Sequence, residues 1–284
     1  MDAARDTAPA DGPVRIVDPA DPRLDDFRDL RQPGVRRSRE SDTFLVAEGP
    51  NVVRRLMQSP LLVRSVLLAE SKAVACADVI ASASCPVYVV SREVLATVAG
   101  FDLHRGVVAS ADRPPDAALA DVVARAAHTR GTIAVLQGLN DHENLGAIAR
   151  SARALGIQAL VLDPTCADPW YRRTVRVSMG EILHLPVARC SSMSEALAAL
   201  RGAGVVVAAL TPGVDTAGAA SVDIHTWKRP DAGVALVLGA EGAGLPVDTL
   251  TTADVRLRIP IAADVDSLNV GHAAAVAFAL IAHP

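Results

Sequence analysis

The stretch IAVLQGLNDHENLGAIARSARAL, residues 133–155, decides the fold. It opens on four apolar residues, Ile133–Leu136, followed at once by polar turn-formers. The period then changes. Leu145, Ile148, Ala152 and Leu155 recur at helical spacing on one stripe, with Arg150 pointing roughly opposite. Downstream the alternation repeats, with strands expected at Ala159–Leu162, Val205–Ala209, Val234–Leu238 and Val255–Ile259. Helices are expected near Ser194–Arg201 and Leu268–Ala282. Such alternation predicts an α/β domain with a mainly parallel sheet covered by helices on both faces. Ligands on such sheets bind in loops beyond the carboxyl ends of the strands.

Upstream, residues from Phe44 predict a smaller α/β unit ending near Ala109: a helix (Glu48–Met57), strands at Val63–Leu68 and Val87–Val90, and a helix opening at Ser91. The expected organisation is a disordered tail (1–13), a first domain (14–110), a charge- and proline-bearing linker (111–122) and a second domain (123–284). The chain has 284 residues, half of them hydrophobic and 21% charged, which excludes disorder for most of its length. A net charge of −4 argues against gripping nucleic acid through overall positive charge, and 3% aromatics argue against a base-stacking sheet. Composition alone therefore suggests a small-molecule enzyme.

The charge is uneven, however. Residues 1–30 carry eight acids against four arginines and account for the whole negative sum. Between Arg31 and Arg64 seven arginines face three acids. Nucleic-acid contact, if present, must be local, with Arg36, Arg37, Arg39, Arg54, Arg105, Arg150 and Arg153 as candidates, and Arg172, Arg173 and Arg176 as further places to look. Four scattered cysteines (76, 85, 166 and 190) form no C-x-x-C pair, so neither a metal site nor a disulfide framework is expected. With no signal-like apolar core and no run long enough to span a bilayer, the expectation is a cytoplasmic protein without membrane contact.

Three loops follow strands. In the first, Asn140 or Asn144 can cap the helix, and Gly146 leaves room for a close neighbour. The loop Gly239-Ala-Glu241-Gly242-Ala-Gly244 brings backbone close to a ligand, but its spacing is not G-x-G-x-x-G and it comes late in the chain. Glu241 would repel a pyrophosphate; a cationic ligand, or a hydroxyl to be held, fits better. The third loop, from Ile259 through Ser267-Leu268-Asn269, opens an alanine-rich helix with Ser267 as a cap candidate.

In order and spacing, N-x-G-x-x-x-R (Asn144, Gly146, Arg150), L-G-x-E-x-x-G-L (Leu238–Leu245) and I-P-x(6)-S-L-N (Ile259–Asn269) resemble the SpoU/TrmH-type RNA ribose 2′-O-methyltransferases. The resemblance covers about Thr132–Ala282. A weaker one, Phe44–Pro50 through His104–Ala109, is to the small RNA-binding domain that often precedes the catalytic one. It implies a C-terminal trefoil knot, a homodimer, RNA as partner and S-adenosylmethionine as cofactor. By motif position Gly239, Ile259 and Leu268 would contact the cofactor, with Leu210 or Thr211 as weaker candidates. Arg150, Asn144, Glu241, Ser267 and Asn269 would be the catalytic set. The chain departs from the family's S-L-N-V-S-V-A at Gly271-His272, and from its usual glutamine at His104-Arg105-Gly106.

A ribose hydroxyl is a poor nucleophile, so the enzyme must align it and assist loss of its proton. Arg150 is the family's proposed base. A guanidinium, with a pKa above ~12, suits a phosphate clamp that stabilises the anionic oxygen better. Two other readings compete: a non-catalytic RNA-binding or ribosome-assembly module on the same fold, and an NAD-type oxidoreductase. Joint presence of the five polar residues opposes the first, and the missing dinucleotide fingerprint opposes the second.

Overall fold

A computed structural model describes residues 12–30, 43–212, 221–242, 244–262 and 264–282. The chain divides into two units. One runs to Pro114 and includes Trp170–Leu183; the other comprises Pro115–Pro169 and the chain from His184 onward. The expected tail lies outside the described residues as far as residue 11.

The first unit is a five-stranded mixed sheet. Its strands are β1 (Val14–Arg15), β2 (Phe44–Glu48), β3 (Val63–Ala69), β4 (Val87–Val90) and β5 (Val107–Asp112), in the order β1-β4-β3-β5-β2. β1, β4 and β3 run parallel, and β5 is antiparallel to β3 and β2. Helices α1 (Pro50–Met57), α2 (Ala77–Ser82) and α3 (Arg92–Ala99) complete it. Strands β2 and β5 correct the sequence reading, which began a helix at Glu48 and ended the unit near Ala109. All five residues of β2 are buried, so no polar alternation marks it. Gly49, at φ 97°, then breaks the chain so that α1 starts at Pro50. The linker expected at 111–122 is also shorter, because β5 reaches Asp112 and the next helix begins at Leu119.

The second unit contains α4 (Leu119–Thr129), β6 (Thr132–Leu136), α5 (His142–Ala154) and β7 (Leu160–Leu162). After the short helix α6 (Arg172–Val177), which belongs to the first unit, come β8 (Val187–Arg189), α7 (Met193–Gly202), β9 (Val206–Leu210) and β10 (Val222–Asp223). β11 (Val234–Leu238), α8 (Val247–Thr252), β12 (Val255–Arg258) and α9 (Val270–Ile281) finish it. The strands pair in the order β10-β12-β9-β11-β6-β7-β8, all parallel. β8 and β10 were not anticipated; with three and two residues they show no period.

Alternation along β6 shows how the sheet is covered. Ile133 and Val135 join a core with Val122 and Ala126 of α4, Leu197 of α7 and Leu250 of α8. Ala134 and Leu136 point the other way, where α5 and α9 pack on one another. The far end of α9 is tied down by Arg229. Its guanidinium donates to the Ile281 carbonyl (3.2 Å), to Thr132 Oγ1 (2.8 Å) and to the Arg130 carbonyl, and burial pulls its pKa below the usual arginine value.

Within the first unit, residues 170–183 are held by charge. Glu48, its side chain 7% exposed, pairs with Arg172 and, at 3.8 Å, with the more exposed Arg176. Arg172 also donates to the Leu30 carbonyl (3.0 Å) and stacks on Phe101. Arg55 pairs with Glu181 at 3.0 Å, beside a glycine, Gly180, that lies against the Arg55 stem. Truncating one member of a buried pair strands the other charge, at a cost of about 3–5 kcal/mol. Glu48→Ala should therefore destabilise the first unit by about that amount in urea melts, whereas Arg176→Ala, at the rim, should cost less than about 1 kcal/mol.

Candidate active site

Parallel strands deliver their carboxyl ends to one edge of the sheet. There the loops after β9, β11 and β12 enclose a cavity of about 250 Å³. Its walls are Leu210–Pro212, Leu238–Gly242 with Gly244, Ile259 with Ile261, and Ser267–Val270 with Ala273. Eight residues singled out in the sequence thus line one space: Leu210, Thr211, Gly239, Glu241, Ile259, Ser267, Leu268 and Asn269. Pro212 and Ile261 also line it without a mark in the sequence pattern, and so does Ala273, which the sequence marks only by its place on the alanine-rich face of α9.

The glycine loop is shaped by close backbone approach. Gly242 and Gly244 have positive φ, and the Gly244 N–H donates to the Ala240 carbonyl at 3.0 Å, closing the turn. A Cβ on Gly239 would lie 2.5 Å from the Gly244 carbonyl carbon and 2.7 Å from the Leu245 nitrogen. No side chain fits there. Among the described lining residues Glu241 alone is ionisable; Thr211, Ser267 and Asn269 add neutral polar side chains, and the rest present aliphatic surface and backbone polar groups. Such a space suits a ligand with a flat, weakly polar body and one positive charge.

One side chain ties the loops after β11 and β12 to α5. The Asn269 Oδ1 accepts from the backbone N–H groups of Gly271 (3.0 Å) and His272 (3.3 Å), capping α9. Its Nδ2 donates to Glu241 Oε1 (2.6 Å) and to Asn144 Oδ1 (2.9 Å). Glu241 Oε1 also accepts from the Val270 N–H at 3.3 Å. Asn269, not Ser267, is therefore the cap, because the backbone is not helical until Val270. At α5 the cap is Asp141, whose carboxylate accepts from the Glu143 and Asn144 N–H groups (2.7 and 2.9 Å). Asn140 lies one residue too early and Asn144 already lies inside the helix. Asn144 is thereby free to face Asn269.

Arg150 is exposed on α5 and does not line the cavity; among the described residues its guanidinium has no partner. It follows by one turn Ala147, which abuts Gly271 at the start of α9. Arg153, also exposed, continues that ridge. Of the other arginine candidates, Arg36, Arg37 and Arg39 lie outside the described residues. Arg54 holds α1 to α2: it donates to both Asp78 oxygens (2.6 and 2.9 Å) and to the Ala75 carbonyl, and keeps the Asp78 pKa down at about 2. That pairing occupies the guanidinium. Arg105 is exposed with its stem laid across Gly49, and Lys72, not anticipated, lies across Gly106 in the same way. His272 is exposed and outside the cavity lining. Among the described residues no group of three or more His, Cys, Asp or Glu could hold a metal ion, and no helix is long and apolar enough to cross a membrane.

A parallel sheet with a cavity at its carboxyl edge, bordered by an Asn–Asn–Glu cluster, defines an α/β ligand-binding site. Residues 131–279 match the SpoU rRNA methylase family. The chain is 41% identical over 93% of its length to an uncharacterized tRNA/rRNA methyltransferase of Mycobacterium tuberculosis, covering 89% of that protein. It is 33% identical over 66% of its length to the 23S rRNA (guanosine-2′-O-)-methyltransferase RlmB of Vibrio cholerae, covering 73% of it. An AdoMet-bound rRNA methyltransferase of Sinorhizobium meliloti superposes with a TM-score of 0.75 at 27% identity, over 94% of this chain and 96% of that one. The chain belongs to the SpoU rRNA methylase family of RNA methyltransferases. Its cofactor is S-adenosylmethionine, which sets the oxidoreductase reading aside.

Loss of an N-cap costs about 0.5–2 kcal/mol. Asn269→Ala should lower the melting temperature by roughly 2–6 °C, while Ser267→Ala, which removes no cap, should leave it within about 1 °C; differential scanning calorimetry separates the two.

Proposed function

We propose that this protein transfers the methyl group of S-adenosylmethionine to a ribose 2′-hydroxyl of structured RNA, with ribosomal RNA the first candidate. The observation that carries the reading is the cavity itself, lined mainly by aliphatic side chains and backbone, with Thr211, Ser267 and Asn269 as neutral polar groups and Glu241 as its one carboxylate among the described residues. It is joined through Asn269 and Asn144 to the helix that bears Arg150, whose guanidinium has no partner among the described residues. S-adenosylmethionine supplies, when bound, a methyl group made electrophilic by its sulfonium. Gly239, Ile259 and Leu268, with Leu210 and Thr211, hold it largely through backbone groups and apolar contact. Ser267 and Asn269 shape the third loop around it. Because the sulfonium carries its own activation, the reaction needs no metal ion.

The remaining work is orientation and charge. Arg150 clamps an RNA phosphate and stabilises the anionic character that grows on the 2′-oxygen as its proton leaves to solvent water. Asn144 orients the ribose or the arginine, and Glu241 fixes the glycine loop by accepting from Asn269 and Val270. In the second unit RNA contact runs along Arg150 and Arg153 on α5; in the first unit, taken by itself, the candidates are Arg105 and Lys72, whose charges the described residues leave unpaired. Arg54 and Arg172 serve internal pairs instead. Val276 and Leu280, both more than a third exposed on the outer face of α9, support a homodimer, since such an apolar face is costly to leave in water. The return of the chain after β12, through the Ile259–Asn269 loop, to pack α9 on α5 is compatible with the trefoil knot the family implies. A cytoplasmic location follows from an RNA substrate.

The test is transfer of tritiated methyl from labelled cofactor into RNA from a strain lacking the gene, followed by mapping of 2′-O-methyl positions. Arg150→Ala should abolish transfer while the cofactor Kd, by calorimetry, stays within about threefold. A variant that still methylates would remove the arginine from the mechanism. Gly239→Ala should do the reverse. Overpacking of about 1–3 kcal/mol against the Gly244 backbone weakens cofactor binding by roughly tenfold or more.

A further inference from the structure

Gly271 stands at the second residue of α9, where glycine is about 1 kcal/mol less favourable than alanine. Its φ is not positive, so the backbone does not require it. Space does. A Cβ there would lie 3.2 Å from the Ala147 Cβ on α5 and 3.2 Å from the Asn269 Oδ1. Both approaches are closer than carbon ordinarily tolerates, so a neighbour would have to shift by a few tenths of an ångström.

The second of those neighbours orients the site. With its Oδ1 committed to the Gly271 and His272 N–H groups, Asn269 must turn its NH2 outward. Both of those N–H bonds are then used, one on Glu241 and one on Asn144 Oδ1. Accepting through its oxygen, Asn144 is left with its own NH2 facing away from Asn269. The polarity therefore runs in one direction, from the first turn of α9 through Asn269 to Asn144, and it leaves the Asn144 NH2 as a donor that an anionic oxygen could use.

We propose that Gly271 is a positioning residue for methyl transfer: by letting the first turn of α9 close against Ala147, it holds Asn269 so that Asn144 presents its NH2 to the substrate oxygen. This rests on the methyltransferase reading. The experiment compares wild type, Gly271→Ala, Ala147→Gly and the double variant in steady-state methylation of RNA lacking the modification, with cofactor Kd and thermal melts in parallel. A displacement of a few tenths of an ångström should lower kcat by about three- to tenfold, with KM for RNA and cofactor Kd changed less than about twofold. The melting temperature should hold or rise, alanine being the better helix former. In the double variant the loss of the Ala147 methyl gives the new Cβ room on the α5 side, and kcat should return to within about twofold of Ala147→Gly alone.

Should Gly271→Ala fail to fold, Ala147→Val presses on the same contact from α5 and should show the same loss of kcat. Full kcat in Gly271→Ala, a loss that Ala147→Gly does not restore, or full kcat in Ala147→Val when only that variant folds, overturns the role of Gly271. A wild-type chain that binds no cofactor and transfers no methyl overturns the underlying reading and the inference with it, whereas an active wild type with indifferent variants overturns the inference alone.

Discussion

A single amide, that of Asn269, sets the terms for the rest of the catalytic unit. Its oxygen terminates the loop after β12 by capping α9, and its nitrogen joins the glycine loop through Glu241 to the helix of Arg150 through Asn144. Three segments, 28 and 125 residues from Asn269 along the chain in the case of Glu241 and Asn144, meet at one planar group whose donors and acceptor are all used. Each partner is fixed in turn: Glu241 by the Val270 N–H, and Asn144 by a helix capped at Asp141. The geometry tolerates this convergence only because the backbone comes unusually close at Gly239 and Gly271, where a Cβ would strike Gly244 or crowd Ala147. Small residues here serve the polar network, not flexibility.

Charge in the first unit follows a different logic. Its arginines are numerous, yet several are consumed internally: Arg54 by Asp78, Arg172 by the buried Glu48, Arg55 by Glu181. These pairs hold segments of the chain together, including residues 170–183, which come from between two strands of the other unit's sheet. Counting arginines along the sequence therefore overstates the positive surface available to a polyanion. Arg105 and Lys72, which pair with no acid among the described residues, lie over glycines near strand ends. An overall charge of −4 is compatible with RNA as substrate because attraction can be concentrated at such points.

The legible part of the fold was the part with a period. The strands from Ile133 to Leu136 and from Val234 to Leu238 could be read because short apolar runs end in turn-formers, and α5 because its apolar residues recur at helical spacing. β2 was missed for the opposite reason: burial on both faces leaves Phe44–Glu48 without alternation, and its final residue is a charged one whose partner, Arg172, lies far along the chain. Caps were misassigned at Ser267 and at Asn140 or Asn144 because serine and asparagine side chains cap equally well. Which residue does so depends on where the backbone turns helical, and that is settled by packing.

The sequence by itself determined the α/β class and, through the resemblance that three ordered motifs carry, pointed to the family, its cofactor and half of the residues that line the cavity. These are local properties: periodicity, turn chemistry and spacing survive reading in one dimension. Tertiary structure decided which arginines are free and which are paired, that residues 170–183 belong with the first unit, and that Asn269 carries both the cap and the bridge. It also gave Gly271 a reason, since a missing side chain acquires meaning only from what would occupy its place. Contacts between residues more than a hundred positions apart leave no periodic trace, and only the folded chain brings them within hydrogen-bonding distance.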